Sequence, residues 1–423
     1  MRKYLLLALC LFIASASFAQ LKDFSYKFYG QIRTDLYYNS RANEETVDGL
    51  FYMYPKDRVR DPNGEDINAT ANGSFYTLYT RLGVDVAGPK LGHAKTSAKV
   101  EVDFRGSGSS YSTVRIRHAY FNLDWGTSAL MVGQYWHPLF GDVSPQILNL
   151  SVGAPFQPFS RAPQIRYRYT KKNFMLTGAL VWQSQYTSQG IQGKSQEYIK
   201  NSCVPEIYIG ADYKKDGFLA GVGIELLSLK PRTTSTVLKE IDSDYYNPNR
   251  YVYVDYKVDE RITTLSYEAH LKYTNKNWFI GAKSVLGSNL TQASGLGGFG
   301  IKENSVNRET GEQEYTPIRF SSSWLNVVYG QKWKPGIFLG YAKNLGTTDT
   351  LLENAPLYGT GTNLDKLVTA GAELTYNLPH WKFGLDYTLS SAWYGSLDKY
   401  EGKIIDTHAV CNNRIVAVAM FMF

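Results

Sequence analysis

The sequence predicts an all-β fold, a transmembrane antiparallel β-barrel of about sixteen strands, and three observations carry that expectation. Segments of alternating apolar and polar residues recur along the whole chain. The links between them are alternately long and very short. The chain ends on an apolar strand with no polar residue after it. Composition agrees, since 33 tyrosines, 37 glycines and 14% aromatic residues suit strands and turns better than helices.

In chain order, the first element is MRKYLLLALCLFIASASFAQ. Arg2 and Lys3 precede an apolar run from Leu5 to Ile13, and Ser17-Phe18-Ala19 supplies a small-residue cleavage site. Residues 1–19 therefore read as a secretory signal peptide and residues 20–423 as one barrel domain. Cys10 sits too early, behind the bulky Leu9, for lipid attachment. Cleavage removes two basic residues from a formal net charge of +7. The mild excess that remains lacks the clustered basic face of a nucleic-acid protein. No later apolar run approaches the ~20 residues a membrane helix needs. Barrel strands escape that test, because each shows only a dyad alternation.

Alternation is clean in HAKTSAKVEVDFR, where Lys95, Ser97, Lys99, Glu101, Asp103 and Arg105 share one face. It is equally clean in ERITTLSYEAHLKY, PQIRYRYT, PEIYIGADY and WKFGLDYTL. Strands are expected near 24–39, 74–87, 93–105, 112–124, 127–137, 163–170, 173–183 and 204–213. Eight more follow near 217–228, 260–274, 277–289, 316–331, 335–345, 365–377, 381–393 and 407–423. Long links span 40–73, 138–162, 184–203, 229–259, 290–315 and 346–364. Short turns fall at Gly88-Pro89-Lys90, Trp125-Gly126, Lys171-Lys172, Lys215-Asp216-Gly217 and Leu378-Pro379-His380. An outer-membrane barrel has periplasmic turns and outer loops of this kind, and a soluble sandwich has no reason for them. Strands eight and sixteen then lie across the barrel, so Cys203 and Cys411 are expected as free thiols.

The short turns share a signature. YTKKNF, YKKDGF, YTNKNW and YNLPHW each place a tyrosine five residues before another aromatic. Phe174, Phe218, Trp125, Trp278, Trp333 and Trp381 are expected to form a girdle at the periplasmic interface. Simple cross-strand ring packing is the plainer alternative. The terminal RIVAVAMFMF places Phe421 and Phe423 on one face, like the assembly signal of outer-membrane barrels.

FYGQIRTDLYY, STVRIRHAYFNLDWGTSALMVGQYW, RAPQIRYRY and the long third link resemble the sixteen-stranded trimeric porins of Gram-negative outer membranes. The likeness is greatest to the phosphate-selective (O/P-type) and DcaP-like porins, including those of Bacteroidota. The resemblance implies a third loop folded into the lumen as a constriction and a homotrimer. That loop, PLFGDVSPQILNLSVGAPFQPFSRAP, departs from general porins in its scarcity of acids, with Asp142 alone.

With the polar face inward, Arg33, Arg81, Lys99, Arg115, Arg117, Arg166 and Arg168 line the wall near that loop. Glu101, Asp103, Asp35 and Asp85 offset part of the charge. Guanidinium groups select anions and stay charged at working pH, while a structural ion pair is the plainer role for any one of them. Strand 112–124 breaks its alternation, so either a bulge lies near His118 or its lower face is apolar. The histidines are scattered, and no His-Glu-x-x-His or Gly-x-Ser-x-Gly motif is present, so no enzyme activity and no catalytic residue are expected. No cofactor or metal is expected either. Asp61 to Asp66 (DPNGED) offers oxygens for a loop calcium ion, but its glycine is misplaced for an EF-hand and a turn explains it.

The expected function is a passive porin for small hydrophilic solutes with a modest anion preference, in the cell outer membrane. A substrate-specific channel for a sugar or organic anion, a barrel enzyme and a plugged-barrel adhesin are the alternatives. Outer-membrane lipids, lipopolysaccharide and the barrel-assembly machinery are the expected partners, with no nucleic acid.

Overall fold

The computed structural model describes residues 23–46, 51–105, 113–149, 153–240 and 251–423. The signal segment lies outside them. Sixteen antiparallel strands close on themselves. They are β1 (Ser25–Asn39), β2 (Arg81–Leu91), β3 (Ala94–Asp103), β4 (Arg115–Asp124), β5 (Ser128–Trp136), β6 (Arg161–Lys171), β7 (Phe174–Val181) and β8 (Glu206–Lys215). The second half comprises β9 (Phe218–Leu229), β10 (Ile262–Thr274), β11 (Trp278–Ser288), β12 (Tyr315–Tyr329), β13 (Trp333–Gly346), β14 (Leu364–Asn377), β15 (Trp381–Asp398) and β16 (Lys403–Met422). A short strand, Asn72–Tyr76, continues β2 along β1. Closure is by β1 against β16, from Gln31 opposite Met422 to Asn39 opposite Arg414.

Each expected strand has its counterpart within a few residues. Two local expectations are corrected. The first short turn is at Gly92-His93, because β2 runs on through Gly88-Pro89-Lys90 as a bulge between the Gly88–Thr96 and Leu91–Ala94 pairs. A proline has no N–H to give a ladder, so it is tolerated at a bulge. The last hairpin also extends further than its sequence suggested, to Asp398 and Lys403. Elsewhere the short turns are tight. Asp216 and Gly217 alone join β8 to β9, both with positive φ (48° and 81°), as a hairpin turn of twisted strands needs.

Side chains alternate strictly. In β7 the outward Phe174, Leu176 and Leu180 are exposed, whereas Thr177, Ala179 and Val181 are buried. The barrel interior is not empty of apolar groups. The loop between β5 and β6, here L3, and the Phe51–Pro55 strand of the first loop pack inside. There Phe51, Phe140, Phe156 and Phe159 join Trp324, Phe338 and Tyr394 of the wall. Gly340 permits this, since a Cβ there would lie 2.5 Å from the Phe156 ring.

The C-terminus is part of the closure. Gly30 N–H donates to Phe423 O at 2.9 Å, and Phe423 N–H returns a bond to Gly30 O at 3.1 Å. A Cβ on Gly30 would lie 2.6 Å from Phe423 Cζ. Gly30→Val is therefore expected to impair closure, seen as loss of the heat-modifiable folded band in electrophoresis after refolding. Gly178→Val, at an open site on the same kind of strand, should refold normally.

Candidate functional site: the lumen beside L3

L3 is fastened to one side of the barrel by a series of polar contacts. Lys283 Nζ (β11) donates to Leu139 O and Phe140 O at 2.5 and 3.0 Å, and Lys272 Nζ (β10) to Asp142 O at 2.6 Å. The backbone N–H of Gln146 donates to Asn326 Oδ1 (β12) at 2.7 Å, and that of Leu148 to Glu373 Oε2 (β14) at 2.6 Å. Trp324 Nε1 donates to Gln157 Oε1 at 2.8 Å on the return limb. Arg33 Nη2 holds Leu148 O at 2.5 Å from β1. With the β10–β14 side covered, the lumen at this height is bordered by β1 to β6.

That border is basic. Arg33, Arg81, Lys99, Arg115, Arg117, Arg166 and Arg168 all face inward from it, as do Asp35, Asp85, Glu101 and Asp103. The broken alternation of β4 is a bulge: Glu101 pairs with His118 and Val102 with Ile116, so Arg117 has no residue opposite it. Arg115, Arg117 and His118 consequently all turn inward, while Phe121 further along is exposed on the outer face.

Ion pairs neutralise part of the row. Arg115 Nε lies 2.7 Å from Asp103 Oδ1, and Arg117 reaches both Glu101 Oε1 at 2.6 Å and Asp103 Oδ2 at 3.0 Å. Arg33 pairs with Asp35 at 2.7 Å, Lys99 with Asp85 at 2.9 Å and Arg168 with Asp142 at 3.2 Å. Burial raises the Asp142 carboxyl pKa, but Arg168 and Arg166 more than offset this and hold it below the ordinary value. Arg166 forms no ion pair among the described residues, and bonds Gln164 Oε1 and Trp136 O. Below this level Arg166 and Arg168 line a cavity of about 300 Å³ with Ser97, Tyr120, Asn122 and Tyr135.

Two guanidinium groups outside the expected set complete the cluster. Arg105 and Arg161 are almost fully buried, at 2% and 0% exposure, and neither forms an ion pair among the described residues. Aromatic rings take that place. Tyr79 lies beneath the guanidinium carbons of Arg105, Arg33 and Arg81 at 4.2, 4.9 and 5.5 Å. Arg161 stacks over Trp136 at 4.9 Å and donates to Tyr186 Oη at 2.9 Å. Cation–π contact is worth ~2 kcal/mol or more when desolvated and offsets part of the cost of burying each charge. Arg105 Nε and Nη2, Arg161 Nε and Nη1, and Arg81 Nε have no acceptor among the described residues. Arg105 was legible on the alternating face of β3. Arg161 gave no such signal, because it lies at the junction of L3 and β6, out of phase with the strand.

The outer face carries the rings beside the short turns. Trp125, Phe174, Phe218, Trp278, Trp333 and Trp381 are all exposed. Each later hairpin packs on its neighbour: Phe174 on Tyr213 (5.2 Å between ring centres), Trp278 on Tyr329 (4.6 Å), Trp333 on Tyr376 (4.6 Å) and Trp381 on Phe421 (4.8 Å). Phe218 lies opposite Tyr273 in the same way. The spacing of five residues thus places one ring on each side of a turn, and each ring meets the adjoining hairpin.

Asp61 to Asp66 forms a turn. Asp61 Oδ1 accepts the N–H groups of Asn63 and Glu65, and Asp66 pairs with Arg41 at 2.8 Å. Cys203 and Cys411 are free and exposed.

Residues 16–182, which include β1 to β7 and L3, match the family model described as DcaP outer membrane protein. Over 95% of this chain and 98% of that one, the fold is similar to the outer membrane channel DcaP of Acinetobacter baumannii, with 16% identity and a TM-score of 0.65. The anion-selective porin from Comamonas acidovorans is similar over 95% of this chain and all of that one, at 10% identity and a TM-score of 0.52. The trimer form of OmpT, an outer membrane protein of Vibrio cholerae, is similar over the same shares at 12% identity and a TM-score of 0.52. No curated protein matches the chain in sequence. The whole-barrel likeness shows the sixteen-stranded fold of outer-membrane porins and channels, and residues 16–182, which carry the basic wall, are similar to the DcaP outer membrane proteins.

Proposed function

We propose that the protein is a passive, water-filled channel for small hydrophilic solutes with a modest preference for anions. One observation supports this most: the buried guanidinium groups beside L3 outnumber the carboxylates near them, with Arg105 and Arg161 held against aromatic rings. In a narrow, partly desolvated passage fixed charge is screened less than at an open surface, so a small excess biases which ion enters. The exposed rings at the short turns suit the headgroup level of a bilayer. A homotrimer is the assembly we infer, by likeness to a barrel recorded as a trimer.

Recording single channels in planar bilayers under a salt gradient tests the reading. The reversal potential should lie on the anion side and move toward zero as total salt rises. A cation-side potential would place Glu101, Asp103 and Asp142 in control of the narrowest point. A second reading, a barrel sealed for surface display, has the burial of Phe51 to Tyr54 inside the lumen in its favour. Absence of conductance from folded protein would support it. Topology has its own check: proteolysis of intact cells should cut within 40–73 or 229–259 and leave Lys171-Lys172 whole.

A further inference from the structure

A second polar cluster lies away from the basic wall, where L3, the β7–β8 loop and the β11–β12 loop meet β8 and β9. Glu206 (β8), Glu225 (β9), His137 (start of L3) and Gln292 (β11–β12 loop) are each at most 1% exposed. The two carboxyl groups are within hydrogen-bond reach of each other. Gln292 Nε2 lies 3.2 Å from Glu206 Oε2 and 3.3 Å from Glu225 Oε1. Gln183 Nε2 donates to Glu206 Oε1 at 2.9 Å. Among the described residues no lysine or arginine pairs with either glutamate. Two adjacent buried carboxylates repel and are costly to keep ionised, so they require a proton or a cation between them.

We propose that Glu206, Glu225 and Gln292 bind one calcium ion that ties L3 and its neighbouring loops to the β8–β9 wall. Independent of the carboxylates, Gln292 Oε1 is buried without a partner among the described residues, and Glu225 Oε2 is likewise unpartnered there. An amide's oxygen and nitrogen occupy nearly the same space, so turning Gln292 over brings Oε1 to the position now facing both carboxylates. Oxygen is then offered from three directions. One carboxylate oxygen each from Glu206 and Glu225 lie within 4.8 Å of each other. That span suits ligands arranged around one ion at about 2.4 Å.

The imidazole decides which ion. Leu139 N–H donates to His137 Nδ1 at 3.2 Å, so the ring proton is on Nε2 and points at Glu206 Oε2, 2.9 Å away. His137 therefore orients a ligand without being one, and the donors that remain are all oxygen. This favours a hard cation over zinc, and calcium, which accepts an irregular set of oxygens, over magnesium, which demands a near-ideal octahedron.

The test uses mature chain refolded from denaturant into detergent free of lipopolysaccharide, which itself carries cations. Elemental analysis after exhaustive dialysis against calcium-containing buffer should find one calcium per chain. Chelation should lower the unfolding temperature, and added calcium should restore it. Terbium luminescence, displaced by calcium, gives the same readout without a variant. Glu225→Gln mimics a protonated carboxyl and should lose both the metal and the response to chelator. Folded wild-type chain without stoichiometric metal, with a Glu225→Gln variant at least as stable, would overturn the proposal in favour of a shared proton. Stoichiometric zinc would overturn the all-oxygen assignment.

Discussion

Replacing Arg105 and Arg161 together by glutamine should move the reversal potential further toward cations than any other pair on the basic wall. Neither group forms an ion pair among the described residues, so little of its charge is cancelled at close range. At ~10 Å and an effective dielectric of ~20, one unit charge changes an ion's energy by about 1.7 kcal/mol. Two such charges correspond to a change of at least tenfold in the anion-to-cation permeability ratio, before salt screening reduces it. The loss in stability should be modest, because no ion pair is broken and what goes is the ring contacts, at roughly 0.5–2 kcal/mol each, and the Arg161–Tyr186 hydrogen bond. The lysine pair, with charge kept, should retain selectivity. Glutamine at both Arg115 and Arg117 should also favour cations, but it strands Asp103 and Glu101 inside the wall. Breaking a buried pair costs about 3–5 kcal/mol, so poorer refolding should accompany that change. If the Arg105/Arg161 double variant keeps the wild-type reversal potential, those guanidinium groups serve only to pack Tyr79 and Trp136.

What the sequence revealed and what it concealed follow from one cause. Dyad alternation reports which way a side chain points whenever it sits in a regular strand. Arg33, Lys99, Glu101, Asp103 and Arg166 were legible for that reason. It reports nothing of loops, so Arg161 and the entry of Phe51 to Tyr54 into the lumen left no trace in the pattern. Tyr79 and Trp136 were obscured differently. Aromatic residues are abundant on the outer face, and those that serve buried arginines have the same composition as those at the membrane interface. The bulge at Arg117 was visible as a fault in the alternation of β4, but only the β3 register shows which residue is extra. His137 and His270 looked scattered along the chain because their partners Glu206 and Asp212 come from a different strand, β8.

Lys283→Met should produce the largest change in channel behaviour, since one ammonium both balances a buried acid and holds L3. Lys283 has no exposed side-chain surface, and its Nζ lies 3.1 Å from Glu268, itself fully buried. The same Nζ takes Leu139 O and Phe140 O, the first turn of L3. Methionine keeps most of the stem's volume and removes the charge. Glu268 is left with Tyr208, which donates at 2.7 Å, and the adjacent His270. A destabilisation of about 3–5 kcal/mol is expected, seen as unfolding at lower temperature. L3 keeps Lys272, Asn326 and Glu373 further along, so it should loosen at its root without leaving the lumen. Conductance should rise and the open-channel noise increase. Adding Glu268→Gln removes the stranded charge and should recover most of the stability. It restores no donor to Leu139 or Phe140, so the noise should persist in the double variant. Quiet, wild-type conductance in Lys283→Met would show that the later anchors suffice and that Lys283 serves Glu268 alone.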